Sequence, residues 1–301
     1  MAAVSGDSLV STAGPHTGPH TWGLRRSLRL FRSFRGGQTE FDRFYRTDPQ
    51  QFYRLQAADS VAQLARYTPV EGKLVVDVGG GPGYFTEALT LAGARCVLVE
   101  PEAGAIENLG SASVAAPVVD GTGASAEDAV HELHEWHIKP GRLAPGKTVA
   151  GDGNNMPIPD AVADVTFSSN VLEHVPDPAR FLDEMVRVTR PGGIIYVSFT
   201  AWYSPWGGHE TAPWHYLGGR RAARRYERHH GRAPSNLFGS SLFACHVGPT
   251  LRMARRHRGV DVVSALPRYY PDWMRWIVEV PVVREVATWN LLLVLRRRRT
   301  V

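Results

Sequence analysis

The chain predicts an α/β fold, a doubly wound and mostly parallel sheet, on three observations. An apolar run, Leu74-Val75-Val76, ends at Asp77 and enters a turn carrying Gly79, Gly80, Gly81 and Gly83. Short β-branched runs then alternate with stretches of helical periodicity, the pattern of parallel strands joined by crossover helices. The second of those runs closes on an acid, Glu100, at the same end as the glycine turn.

Composition sets the class. Of 301 residues 43% are hydrophobic and 21% charged, the balance of an ordinary globular protein with one large domain. No apolar run is long enough to span a bilayer, and Met1–Thr21 lacks the apolar core of a secretory signal. The two cysteines, Cys96 and Cys245, read as buried free thiols, and a cytoplasmic address is expected. The net charge of +5, from 34 basic and 29 acidic residues, is clustered rather than spread.

Residues 1–22, rich in Ser, Thr, Gly, Pro and Ala, read as a disordered tail. Residues 23–70 read as a helical lid. In Leu24–Arg35, Leu24, Leu28 and Phe31 form an apolar stripe and the arginines a positive face, a pattern that suits an anionic membrane surface or the packed domain. Asp48-Pro49 marks a helix start, with Phe52, Leu55, Val61 and Leu64 as its apolar contacts, and Tyr45 and Arg46 lie just before it. Residues 71–301 form the main domain. Its glycine turn lets the backbone bend sharply and lie against a ligand, while the helix from Tyr84 points free N–H groups the same way.

Beyond that helix, Gly93 suits a C-terminal cap, and Arg95–Val99 is the second strand. Residues 110–146 read as an insertion. Within it His131, His134 and His137 recur every third position, a spacing unlike a helical zinc pair, so no metal is expected there. Lys147–Ala150 is the third strand, followed by Gly151-Asp152-Gly153; Asp152 suits either an Asx turn or an adenine amine. Asp164–Ser168 is the fourth strand, leading through Asn170 to His174. Asp177-Pro178 starts a helix that Arg190-Pro191-Gly192-Gly193 ends, and Ile194–Phe199 is the fifth strand. Residues 201–250 read as a cap that includes the basic helix Gly219–Arg232. Val260–Ala265 and Thr288–Arg296 are the sixth and seventh strands, with a short aromatic helix at Asp272–Val280 between them.

The glycine spacing is not that of a dinucleotide fingerprint, which disfavours a nicotinamide dehydrogenase. Asp77-x-Gly79-x-Gly81-x-Gly83, Glu100, Gly151-Asp152 through Pro157, Asn170 through His174 and Arg190-Pro191-Gly192-Gly193 together resemble the class I S-adenosylmethionine-dependent methyltransferases. The subfamily is similar to the ubiquinone/menaquinone-biosynthesis C-methyltransferases. Phe44-Tyr45-Arg46-Thr47, Gly207-Gly208-His209-Glu210, His215–Gly219 and Gly239–Phe243 resemble more narrowly a set of uncharacterised actinobacterial methyltransferases. The resemblance implies a Rossmann-like seven-stranded sheet whose last strand enters antiparallel between the fifth and sixth. It implies S-adenosylmethionine as cofactor, with Gly79, Gly80, Gly81 and Gly83 on its methionine portion and Asp77 near its amino group. Glu100 would hold its ribose and Asp152 its adenine, with Asn170 bordering the site.

Methyl transfer to a hydroxyl needs a proton acceptor, and ligands of such sheets lie beyond the strands' carboxyl ends. A histidine beside a carboxylate suits that task, so His209 supported by Glu210 is the first candidate and His174 the second; His215 reads as structural. The arginine clusters suit an anionic lipid surface or a lipid-linked acceptor, and no RNA-reading pattern accompanies them. Methyl transfer to a small-molecule, lipid or glycan-type acceptor is the expected function. A catalytically idle scaffold that binds the cofactor is the alternative.

Overall fold

The structure, a computed structural model, describes Ser27, residues 49–101 and residues 147–299. The expected tail, the basic stretch Leu24–Arg35 apart from Ser27, Tyr45 and Arg46, and the insertion with His131, His134 and His137 lie outside the described residues.

The described chain runs α1 (Pro49–Ala65), β1 (Leu74–Val78), α2 (Tyr84–Leu91), β2 (Arg95–Glu100), β3 (Lys147–Ala150), β4 (Ala163–Ser169), α3 (Pro178–Val188) and β5 (Thr189–Thr200). It continues through α4 (Gly219–His230), α5 (Val247–Arg256), β6 (Val260–Pro267), α6 (Val283–Ala287) and β7 (Asn290–Arg297), with four 3₁₀ turns among the described residues. The strands form one sheet in the order β3-β2-β1-β4-β5-β7-β6. All pairs are parallel except those of β7, which is antiparallel to both β5 and β6. The expected seven strands and the inserted last strand are therefore present. Residues 190–193 do not simply end α3. They form a bulge at the start of β5, where the register jumps from Ala163↔Thr189 to Val165↔Ile194.

Strand alternation divides the core. Leu74, Val76 and Val78 point to the face covered by Phe181, Leu182 and Met185 of α3 and Leu251 of α5. Val75 points to the other face, with Leu64 of α1 and Phe85 and Leu89 of α2. Cys96 and Cys245 are both buried free thiols, and burial pushes each up to about 12. Asp177 caps α3, accepting from the N–H groups of Ala179 and Arg180.

α1 departs from a simple apolar stripe. Phe52, Val61 and Leu64 are buried as expected, but so are Gln56, Asp59, Ser60 and Gln63. Each has a polar reason or neighbour. Gln56 donates to the Tyr269 hydroxyl, and Gln63 accepts from that of Tyr196. Ser60 accepts from Arg268, which directly follows β6. Arg268 is wholly buried and also donates to Ser169 of β4 at 2.9 Å and Ser198 of β5 at 2.6 Å. One guanidinium thus joins α1 to the carboxyl ends of β4, β5 and β6. Replacing it by the similarly sized Met leaves those hydroxyls and the nearby Asp59 without it. Arg268→Met is expected to cost about 3–5 kcal/mol in urea denaturation. A cost below about 1 kcal/mol would show that the guanidinium is dispensable.

Candidate active site

The cofactor side is built from contiguous sequence. β1 is buried along its whole length, Asp77 included, and Gly79, Gly81 and Gly83 then turn with φ of 72°, 52° and 87°, all in the left-handed region. Gly79 N–H donates to Val99, so the turn is pinned against β2. Gly83 occupies the cap position of α2, with no side chain closing the helix terminus.

The glycines divide by what surrounds them. A Cβ on Gly79 would stand 2.7 Å from Val171, and one on Gly80 would stand 2.5 Å from the Asp77 carboxylate and 2.6 Å from Leu98. These two permit close packing. At Gly81 no atom lies within 4 Å of a Cβ, and at Gly83 the nearest is 3.9 Å away. The open side of the turn is therefore at Gly81 and Gly83. Glu100 lies at that side, its Oε2 accepting from Gly81 N–H at 2.9 Å. A hollow lined by open glycine backbone, bordered by a carboxylate at the next strand's tip, fits a cofactor with an amino-acid end and a ribose.

Asp77 requires a correction. It was expected beside a ligand's amino group but is 0% exposed beneath Gly80, with Oδ2 accepting from Thr86 at 2.7 Å. Its period-two position on β1 turns it inward toward α2, so it supports the turn from below. Asn170 also has internal work. Its Oδ1 accepts from Asn290 at 2.7 Å and faces Arg268 at 3.5 Å, and its φ is 59°. Asp152 is exposed beyond β3 and accepts from Asn154 N–H, the Asx turn that was one of its two readings.

The opposite side is assembled from distant segments. A 3₁₀ turn, Leu172–His174, follows β4. Its Glu173 is 1% exposed, with Oε1 accepting from Thr200 N–H at 3.0 Å. His209 enters from the cap, starting a 3₁₀ turn at φ 48°. Two close approaches place it there. A Cβ on Gly207 would fall 2.1 Å from the Trp202 carbonyl, and one on Gly208 would fall 2.4 Å from the His215 ring. The rings of His174 and His209 meet edge to face at 5.0 Å.

The expected His209–Glu210 pair does not form. Successive side chains on a 3₁₀ turn diverge by a third of a revolution, and Glu210 points outward, accepting from Asn236 at 3.0 Å and 3.1 Å. Glu173 is the carboxylate grouped with His209. Burial pushes the His209 imidazole below its usual range, and the Glu173 charge opposes that. His174 donates from Nδ1 to the Ser241 carbonyl at 2.6 Å, which fixes its tautomer. His215 is buried against the Ser204 carbonyl, as a structural residue would be.

Sequence reading missed Glu173 and Arg268. Glu173 carried a detectable signal, a carboxylate beside His174 inside a stretch whose other members, Val171, Leu172 and Val175, are apolar. Arg268 carried none beyond its place at a strand's carboxyl end.

Burial raises the Asp77 carboxyl to about 7, the Glu100 charge adds to this and Thr86 opposes it. Raised above its unfolded value, the group contributes stability that is fully present below about pH 4 and is lost as pH climbs through about 7. Asp77→Asn removes that loss. The thermal midpoint of the variant is expected to gain on wild type by several degrees between pH 5 and pH 8. A constant difference across that range would show that Asp77 is not buried in its charged form.

The chain matches the family of the methyltransferase domain over residues 76–197. It is 41% identical over 276 residues to an uncharacterised methyltransferase of Mycobacteroides abscessus, covering 91% of this chain and 95% of that one. A relative in Mycolicibacterium gilvum, also named an uncharacterised methyltransferase, is 42% identical over 279 residues, covering 91% and 94%. Another of that name in Mycobacterium tuberculosis is 41% identical over 279 residues, covering 90% and 94%. Residues 76–197 run from within β1 to within β5, while the match to these relatives covers nine tenths of the chain. By that shared extent the chain belongs to the methyltransferase family.

Proposed function

We propose that this methyltransferase uses S-adenosylmethionine and transfers its methyl group to a small-molecule, lipid or glycan-type acceptor, at oxygen or carbon. The observation that carries the cofactor reading is the Glu100 carboxylate against Gly81 N–H at the open side of the turn. The open backbone at Gly81 and Gly83 and the start of α2 would receive the amino-acid end, and Glu100 the ribose hydroxyls. When bound, the cofactor supplies a methyl carbon activated by a sulfonium.

The remaining work falls to this chain. The acceptor must be aligned, water excluded and, for a hydroxyl, a proton managed. Val171 packs against Gly79, and Leu172–His174 begins at the next residue. Glu173 and His174, grouped with His209, thus follow directly on the residue packed against the turn, which favours an acceptor at that group. Glu210, turned outward, has no part in that reading.

The acceptor class is suggested by the cap surface. Arg220, Arg221, Arg224, Arg225 and Arg228 are exposed along α4, whose Ala222 and Ala223 pack inward. Trp214, Tyr216 and Leu217 are exposed just before it, and Arg225 stacks on Trp214 at 3.9 Å. Arginines around exposed aromatics favour an anionic lipid surface and a lipid-linked acceptor. No helix among the described residues is long and apolar enough to cross a membrane, so the contact would be peripheral.

Isothermal titration should show S-adenosylmethionine binding that Glu100→Ala weakens about 10- to 100-fold, with NAD not bound. The cofactor reading falls if the variant binds as wild type does. His209→Ala is expected to abolish methylation of lipid and metabolite extracts, seen as the loss of a one-methylene mass shift, with cofactor affinity kept within a few-fold. Equal loss of both would make that imidazole structural. Arg224→Glu combined with Arg225→Glu is expected to reduce co-sedimentation with phosphatidylglycerol vesicles by at least about tenfold. Unchanged sedimentation would remove the membrane from the proposal.

A further inference from the structure

Glu173, His174 and His209 each present one ligand atom within 4.8 Å of those of the other two. Two of these residues have atoms with no other occupation. Glu173 Oε2 and His209 Nδ1 are buried and have no hydrogen-bond partner among the described residues. A carboxylate that is 1% exposed, with one oxygen satisfied by Thr200 N–H and the other by nothing, is costly unless something electropositive completes it. His174 is already oriented as ligating histidines are. Its Nδ1–H is held by the Ser241 carbonyl, so the Nε2 lone pair is left for a ligand.

The surroundings fix the group in place. Phe243 N–H donates to the Glu173 carbonyl, and Ser241, two residues earlier, holds His174. Asn236 of the same loop holds Glu210, beside His209. The loop from Asn236 to Phe243 thus clasps both segments that supply the three side chains.

We infer that Glu173, His174 and His209 form a three-ligand site for a divalent transition metal, zinc being the ion that best suits two imidazoles and one carboxylate. Magnesium and calcium prefer all-oxygen sets, which this is not. A tetrahedral zinc with bonds of about 2.1 Å spaces its ligands roughly 3.4 Å apart, so a modest contraction of the group would seat it. Three protein ligands leave one position open for a water or an oxygen donor of another molecule. That this donor would be the methyl acceptor rests on the proposed methyl transfer; the metal site itself does not.

The test uses the full chain, stripped with a chelator, desalted and titrated with zinc chloride. Bound metal is counted by mass spectrometry. Cobalt(II) serves as a second probe through its visible d–d absorption. Wild type is expected to take one zinc and to show tetrahedral cobalt bands. His174→Ala and His209→Ala should each lose the bands and weaken zinc binding by at least about tenfold. The paired control His229→Ala with His230→Ala, on the exposed end of α4, should retain both properties. Glu173→Gln keeps a carbonyl oxygen for Thr200 N–H, so its loss of zinc with an unchanged circular dichroism spectrum separates ligation from folding. The inference is overturned if stripped wild type takes up no zinc, or if uptake survives in His174→Ala and His209→Ala. S-adenosylmethionine is titrated into the same zinc-free sample. Binding there with no zinc uptake sinks the metal site alone, whereas zinc uptake without cofactor binding sinks the proposed function alone.

Discussion

The carboxyl-end rim of the sheet depends on the buried Arg268 guanidinium. Three strands and a helix end there with polar side chains turned inward, and Ser60, Ser169 and Ser198 all reach one cation. The rings of Tyr196 and Tyr269 lie 5.8 Å and 5.4 Å from its central carbon, so its faces are covered as well as its edges. A charge so placed tolerates little displacement, because its partners cannot be replaced by water. Asn170 is drawn into the same arrangement, and through it the path from β4 to Leu172–His174 is set. The position of Glu173 and His174 therefore traces back to Arg268, just beyond β6 and far away in sequence.

The two halves of the site are built differently. The cofactor side is local: one strand, one turn and one helix, with Glu100 arriving through the parallel pairing of β1 with β2, which ends at Val78↔Val99. The opposite side is non-local, joining the turn after β4 to the cap and to the loop at Asn236–Phe243. This division explains what could be read from the residues alone. Short-range signals, β-branched runs, glycine spacing and Asp-Pro helix starts, were enough to place all seven strands and the glycine turn. Strand ends moved by up to five residues, most at β5, because the strand runs on through the bulge at 190–193 to Thr189, which pairs with Ala163.

The side chains that went astray share a cause. Adjacent letters suggested a His209–Glu210 pair, yet the positive φ of His209 and the 3₁₀ geometry send the two apart. Asp77 looked like a ligand contact from its place in the glycine pattern, but strand alternation buries it. In α1, the apolar contacts alone give no sign that Gln56, Ser60 and Gln63 are buried. They are inner because segments far later in the chain supply Tyr269, Arg268 and Tyr196. Pattern carries the backbone well. It carries pairings between distant polar groups poorly.

The place of β7 has a consequence for biosynthesis. It is the last strand in the chain, yet it lies between β5 and β6, pairing with both. While it is still within the ribosome, β5 has one unpaired edge and β6 has no neighbour at all. Both expose apolar residues and open backbone groups, the condition that invites association with other nascent chains. Folding of this sheet is thus completed only by its final strand, and a chain cut short before Asn290 would leave an adhesive slot where a full-length chain has a closed core.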